Sequence, residues 1–445
     1  MSNNRVAIIG GGITGLSAAY TLQNSGIDVV LFEKNSEPGG AIKTVSENGW
    51  MIEYGPNSLL LKDKNVLDFI SQLGLEERMI EAGSDSGTRY ILKNGELVPL
   101  PGNPLSAIST PLFSTKAKLR ILAEPFISKS NDKDETVESF VTRRLGKEFC
   151  DYALNPFIAG IFAGTPDRLS ARHAFPAMYE MEQNYGSLMV GAVTGSKKRK
   201  EKGRIKSKLV SFEQGLQQLP IKIAKQLENI IYSEKITGIK GSDNSWVLQS
   251  GKHEYGPFNR VLINIPAHKL SEMNWPLKSP ALSVFKKVHY PPVSIIVFGF
   301  KKEQIVHPLD GFGFLVPEKE KRDILGTLFS SSLFESRAPD SHVLLTTFVG
   351  GMRQPELAEM KSEKLFEIVL NELSDILKIS GNPVFREHIF WPKAIPQYEP
   401  GYDEIINGFE KLEKEFKGLY FAGNFRGGIS VPDCIKNGIA LGKKL

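Results

Sequence analysis

The sequence predicts an α/β fold whose dinucleotide-binding unit is assembled from discontinuous segments. Three observations carry that expectation. A glycine-rich turn joins a strand to a helix at the front of the chain, within residues 5–34. A second strand–turn–helix pattern, LYFAGNFRGGISVPDCIKNGIALG, occupies residues 419–442. Between them, helical and strand-rich stretches come in blocks rather than in a regular βα rhythm.

The front reads RVAIIGGGITGLSAAYTLQNSGIDVVLFEK. Residues 6–9 form a buried strand, and Gly10, Gly12 and Gly15 fill the positions of G-x-G-x-x-G. A helix follows with Leu16, Ala19, Tyr20 and Leu22 apolar. A second strand, 28–32, ends at Glu33. Gly10 permits the tight turn, Gly12 lets a pyrophosphate approach the backbone, and Gly15 packs the helix on the sheet. The helix N-terminus offers free N–H groups to the phosphates, and Glu33 suits a ribose hydroxyl. FAD and NAD both fit this unit. Next, residues 37–44 (EPGGAIKT) supply a second glycine pair, and residues 50–53 (WMIE) read as a strand leading into Gly55-Pro56-Asn57-Ser58.

Residues 207–239 read as a helix, FEQGLQQLPIKIAKQL, then a strand, IIYSEKITGI. Residues 246–249 and 260–265 read as further strands. Residues 96–206 show helical patterns interrupted by proline. Residues 285–350 are strand-rich and predict an antiparallel sheet over a substrate cavity. Residues 361–379 form an amphipathic helix. At the tail, Ser430 is a helix N-cap with Pro432 in the first turn and Asp433 three residues on.

At 445 residues the chain is long enough for two or three domains. A hydrophobic content of 41% and a charged content of 24% exclude a disordered chain. The net charge of +5 permits contact with acidic lipid without demanding it. The two cysteines, Cys150 and Cys434, build no disulfide framework, so a reducing, cytoplasmic setting is expected. No His/Cys cluster has metal spacing, so no metal is expected. The start of the chain lacks a basic region ahead of an apolar run, so no secretory signal is expected. The uncharged stretch 152–166 is broken by two prolines and two glycines and is shorter than the ~20 residues a bilayer span needs. A basic run at 197–208 reads first as a solvated loop, and second as a lipid-facing patch. No aromatics interleave with its charges, so no nucleic-acid partner is expected.

The two glycine pairs and the capped tail together resemble the glutathione-reductase-type Rossmann-like FAD fold of the amine oxidase superfamily. Many members have an arginine after the second pair; here Ala41 stands there, with Lys43 two residues on. The resemblance implies one non-covalent FAD per chain. Its contacts would be Gly10, Gly11, Gly12, Ile13, Thr14, Gly15, Glu33, Lys34, Gly40, Ala41, Gly55, Pro56, Asn57, Ser58, Ile236, Trp391, Gly423, Asn424, Ile429, Ser430 and Val431. In that arrangement the tail helix points its N-terminus at the flavin pyrimidine ring and stabilises the negative charge of reduced flavin. The two ends would then build one site.

The middle of the chain is similar to the porphyrinogen oxidases of that superfamily. The similarity rests on TRYIL at 88–92, Asn94-Gly95, Leu100-Pro101, PFIAGIFAGTPDRLSARHAFP at 156–176, DGFGFLVP at 310–317, GTLFSSSLFESRAP at 326–339, TTFVGG at 346–351 and WPKA at 391–394. It implies that Arg89 faces a substrate propionate, that Leu315, Leu328 and Phe348 line the cavity, and that Gly160, Ala163 and Gly164 let the backbone approach the macrocycle. It implies oxidation of protoporphyrinogen IX to protoporphyrin IX by hydride transfer from a meso carbon to flavin N5. O₂ is the acceptor, H₂O₂ is released, and no side chain acts as a strong base. The implied segments are 1–88, 207–284 and 385–445 for FAD, 89–95 and 285–384 for substrate, and 96–206 as a helical, membrane-facing subdomain. The membrane surface, the next enzyme of the haem pathway and a second copy of the chain are the expected partners. The alternatives are coproporphyrinogen III oxidation, an amine oxidase or polyene desaturase, and a GDP-dissociation-inhibitor-like binding protein without flavin.

Overall fold

Residues 6–9, 29–32 and 261–263 are continuous apolar runs, buried on both faces, as strands of a covered parallel sheet must be. In the computed structural model Arg5–Ile9 lies at the centre of a five-stranded parallel sheet. Asp28–Phe32 and Arg260–Ile263 flank it, and Ile230–Ile231 and Leu419–Phe421 form the edges. Alternate residues face opposite cores. Val6, Ile8, Leu31 and Leu262 meet the helices Ile13–Asn24 and Val431–Lys444. Ala7, Ile9, Val30, Phe32 and Ile263 meet a cluster containing Trp246, Phe258, Phe285 and Phe409. The structure describes residues 5–83, 87–201, 204–251, 253–275 and 279–445, and the side chains of 104, 105, 196–201 and 204 lie outside the description.

A seven-stranded sheet forms the second layer. Its order is Phe385–Trp391, Val293–Lys301, His342–Gly350, Gly326–Phe329, Gly313–Leu315, Arg89–Lys93, Glu96–Pro99. The amphipathic helix, observed at Ser362–Leu377, covers one face through Leu365, Val369, Leu373 and Leu377. The other face turns toward the helix Asn155–Phe162. Two features depart from the expected antiparallel sheet of residues 285–350. Gly313–Leu315 pairs parallel with Arg89–Lys93. The sheet also takes in Glu96–Pro99, from the stretch read as helical, and Phe385–Trp391, from the stretch assigned to the cofactor. Strand pairing at such separation is decided by packing, not by local pattern.

Two further expectations are corrected. The helix read from Phe212 onward is a strand through Phe212, a turn at Gly215 with φ +84°, and a short helix Gln218–Ala224. The strand read after it is only Ile230–Ile231 in the sheet. The basic run is not a loop: its first part ends the helix Leu188–Glu201, and its last part starts the strand Arg204–Phe212. Lys202 and Gly203, and the side chains of 197–201 and Arg204, lie outside the described residues.

Residues 104–201 are built of short helices joined by loops. A buried ion network holds them together: Arg144 donates to Glu182 at 2.6 Å and to Glu124 at 2.9 Å, and Arg143 bridges Glu135 and Glu182, each at 2.8 Å. Glu124 also accepts from the backbone N–H of Leu188 and Met189, capping the next helix from a distance. Among the described residues no helix is long and apolar enough to cross a membrane.

Candidate functional site

The strand Arg5–Ile9 delivers its glycines to the end of the parallel sheet, where the chain must turn into a helix. An added Cβ on Gly15 would lie 2.4 Å from the Gly10 carbonyl oxygen, so only glycine allows this helix to pack so close. The helix starts at Ile13 with Gly12 as a cap that has no side chain. Its first-turn N–H groups therefore have no side-chain acceptor, which fits a pyrophosphate at this end. The second glycine pair is seated on the first: Gly39 N–H donates to Gly11 O at 2.8 Å, and an added Cβ on Gly40 would meet Gly12 Cα at 3.3 Å. Glu33 is buried. Its carboxylate accepts from Gly11 N–H at 2.7 Å and Asn35 N–H at 2.9 Å, which fixes the glycine turn from behind and leaves lone pairs free for a ribose. Lys34 and Ala41 are exposed, and Lys43 lies over the Tyr54 ring at 5.2 Å.

Residues 55–58 join this group. An added Cβ on Gly55 would meet Ala41 O at 2.0 Å. Trp391 Nε1 donates to Tyr54 O at 2.7 Å, which ties the edge strand Phe385–Trp391 to the chain just before Gly55. Glu53, just before them, accepts from Thr44 Oγ1 at 2.7 Å and Leu216 N–H at 2.8 Å; burial holds its carboxyl above the usual range. Ile236 sits in the core below Phe32.

The tail arrives on the same helix. Gly438 and Gly442, one turn apart, lie against the helix Ile13–Asn24. An added Cβ on Gly438 would be 2.4 Å from Thr14 O, and one on Gly442 would be 2.6 Å from Thr21 Cβ. Ser430 caps the tail helix as its sequence predicts, accepting from Asp433 N–H at 3.2 Å. Gly423, Asn424 and Ile429 lie in the loop before it, and Val431 opens the helix. Burial pushes the Cys434 thiol up to about 11, so it stays neutral.

The substrate-side residues meet on the seven-stranded sheet. Paired residues point to the same face, and so do residues two apart along a strand. One row is Arg89, Gly313, Leu328, Thr346; the next is Ile91, Leu315, Gly326, Phe348. Arg89, Leu315, Leu328 and Phe348 thus share one face. Gly160 lies over it: an added Cβ there would meet Leu315 Cδ2 at 2.7 Å. Ala163 O accepts from Met352 N–H at 2.7 Å, and Gly164 abuts Gln397. Arg89 is exposed, lies 4.9 Å over the Phe312 ring, and has no carboxylate partner among the described residues. Lys93, the other cation on this side of the strand, is spent on the Pro111 and Leu112 carbonyls, at 3.1 and 2.8 Å.

Sequence reasoning missed several residues. Asn264 reaches the Gly10 and Gly12 carbonyls at 3.4 and 3.5 Å; its place after a strand end was the available signal. Arg353 ties the small-residue helix to the sheet by donating to Val316 O and Asn155 Oδ1, both at 2.7 Å. Its burial lowers the guanidinium to about 10. Tyr398 and Tyr402 bind the loop 423–428, and no local pattern pointed to them.

These features define a flavin-binding oxidoreductase fold, and comparison with known proteins agrees. Residues 13–440 match the family model for flavin-containing amine oxidoreductases, and the chain belongs to that family. It is 35% identical to the mitochondrial protoporphyrinogen oxidase of Nicotiana tabacum, over 98% of this chain and 94% of that one. It is 29% identical to the coproporphyrinogen III oxidase of Bacillus subtilis (strain 168), over 98% of this chain and 96% of that one. A crystal structure from Exiguobacterium sp. 255-15 superposes with a TM-score of 0.83 at 24% identity, covering 100% of this chain and 99% of that one.

Proposed function

We propose that this protein oxidises protoporphyrinogen IX to protoporphyrin IX, using non-covalent FAD and dioxygen. The observation that carries the reading is the shared sheet face, on which three apolar side chains and a guanidinium without a carboxylate partner among the described residues meet a stretch of small residues. A flat apolar macrocycle with few carboxylates suits such a slot. The relatives' names support the same substrate class. When bound, FAD supplies hydride acceptance at N5 and electron transfer to O₂, and three rounds account for six electrons and three H₂O₂.

The chain's own work is binding and orientation. Arg89 offers a two-pronged donor to a propionate. Leu315 and Leu328 hold the ring flat and Phe348 packs against a pyrrole. Gly160 lets its helix lie directly against Leu315 and Gly164 lets the chain pass Gln397, so that with Ala163 they bring backbone, not side chains, to the border of the face on which the macrocycle would sit. The first-turn amides at Ile13, Thr14 and Gly15 take the pyrophosphate, Glu33 the ribose, and the capped helix at Ser430 the flavin's anionic end. The neutral, buried Cys434 supports a non-covalent cofactor. In this reading residues 1–88, 207–284 and the tail hold FAD, and residues 89–95 and 285–384, with the edge strand Phe385–Trp391, hold substrate.

Residues 96–206 bear Ile108, Leu119, Leu122, Phe126 and Val193, each more than 60% exposed. Such a group supports docking at a lipid surface, from which an apolar substrate would be taken.

Coproporphyrinogen III oxidation is the second reading, favoured by the Bacillus subtilis relative. Its substrate carries four carboxylates and calls for more free cations than the described residues of the face offer. Incubation in air with each porphyrinogen, followed by porphyrin fluorescence, separates the two. Faster turnover of protoporphyrinogen IX is expected. Faster turnover of coproporphyrinogen III moves the enzyme to the second reading.

A further inference from the structure

Residues 397–402 touch both walls of the proposed site. Gln397 is buried, and its Nε2 donates to Phe162 O at 2.8 Å and Ile395 O at 3.0 Å. Its Oε1 lies against Gly164, where an added Cβ would be 2.4 Å away. The Tyr398 hydroxyl donates to Asn424 O at 2.7 Å and accepts from Gly428 N–H at 3.0 Å. The Tyr402 hydroxyl donates to Phe425 O at 2.8 Å. The two rings lie together, with centroids 4.6 Å apart.

Within the loop these tyrosines hold, Arg426 N–H donates to Gly423 O at 3.1 Å. Residues 422–430 belong to no strand or helix, and Gly423, Gly427 and Gly428 have φ of +144°, +84° and +117°. Other anchors reach it: Asn437 Nδ2 donates to Arg426 O at 3.1 Å, Arg426 pairs with Glu413 at 2.6 Å, Ala422 N–H donates to Ile263 O at 3.0 Å, and the buried Phe425 ring stacks on Phe409 with centroids 4.9 Å apart. The first two grip Arg426. On either side of it, the Asn424 and Phe425 carbonyls and the Gly428 N–H are held by the tyrosine hydroxyls.

We propose that residues 397–402 form a strap that fixes the loop 423–428 against the small-residue stretch 162–164, with Tyr398 as its central positioning residue. The proposal rests on reading 423–431 as the flavin end of the site. A carbonyl held by a phenol cannot rotate toward a ring seated on the loop, so the strap decides which backbone dipoles face the cofactor. Fixed dipoles at that end set how strongly a reduced, anionic ring is stabilised. Burial pushes both phenols far above their ordinary range, so they remain donors throughout the working pH range.

The test uses FAD-loaded full-length protein and three single substitutions. Tyr398→Phe removes the hydroxyl and keeps the ring. Tyr402→Phe removes one donor to the same loop. Tyr290→Phe is the structural control, a buried tyrosine whose hydroxyl accepts from Ala267 N–H and does not bond the loop. The readouts are FAD dissociation constant, flavin reduction potential and visible circular dichroism of the bound flavin. Tyr398→Phe is expected to weaken FAD roughly five- to thirty-fold, the effect of losing one buried donor–acceptor pair, and to shift potential and dichroism. Tyr402→Phe moves the same signals less, and Tyr290→Phe leaves them at wild-type values. Wild-type affinity, potential and dichroism in Tyr398→Phe would overturn the strap. If Tyr398→Phe does not accumulate as folded protein, Tyr402→Phe is read by the same criteria. A wild-type protein that takes up no FAD would overturn the flavin reading and the strap with it.

Discussion

Gly438→Ala tests the idea that the two ends of the chain build one site. The added methyl would sit 2.4 Å from Thr14 O and 2.7 Å from Ser17 Cβ. That is roughly 1 Å short of van der Waals contact, and one neighbour is rigid backbone. Overpacking of this kind costs about 1–3 kcal/mol. Alanine returns up to about 1 kcal/mol through helix propensity, so a net loss remains. Relief requires the tail helix to move off the helix that begins at Ile13. Thr14 belongs to the first turn offered to the pyrophosphate, so FAD affinity should fall with stability. For a chain of this length, 1 kcal/mol moves the melting temperature by only about 1 °C. FAD titration is therefore the sharper assay, with an expected loss on the order of ten-fold. A variant at least as stable as wild type, with unchanged FAD affinity, would refute the helix–helix contact as the link between the ends.

Arg89→Ala should raise the KM for protoporphyrinogen about ten-fold or more, as expected for a lost charge-assisted hydrogen bond, with kcat less affected; steady-state kinetics checks this. Arg144→Met should cost about 3 kcal/mol or more in thermal or denaturant unfolding, because Glu124 would stay buried without its cation and Glu182 would keep only Arg143. Leu122→Glu with Phe126→Glu should weaken binding to anionic liposomes while leaving turnover of detergent-solubilised substrate at wild-type values. Burial lowers His268 from its usual 6.5 to about 4. The stability this neutral histidine contributes is present above pH 6.5 and is lost as pH falls toward 4. His268→Gln should flatten the fall in melting temperature over that window.

The parts of the site that were legible are those whose physics is local. The turn at Gly10, the close packing at Gly15 and the cap at Ser430 each depend on residue type within a few positions, and each was readable. The contact between Gly438 and Thr14 was not, because two small residues in a helix do not say which helix they meet. The strand holding Arg89 was placed beside Gly313 by a parallel pairing across more than two hundred residues, which no alternation pattern encodes. The basic run was misread for a related reason. Its charges suggested solvent, yet the segment continues one helix and begins a strand whose alternate residues, Val210 and Phe212, are buried. Tyr398 and Tyr402 carry no local signal, because their partners lie over twenty positions downstream in a glycine loop.

The account stands on a flavin site opening onto the face that carries Arg89. The direct measurement is anaerobic mixing of the FAD-loaded protein with protoporphyrinogen IX while the visible flavin band is followed. The account predicts bleaching of the band, then its return with porphyrin fluorescence and H₂O₂ when air is admitted. A band unchanged by either porphyrinogen, yet bleached by an amine or a polyene, would contradict it.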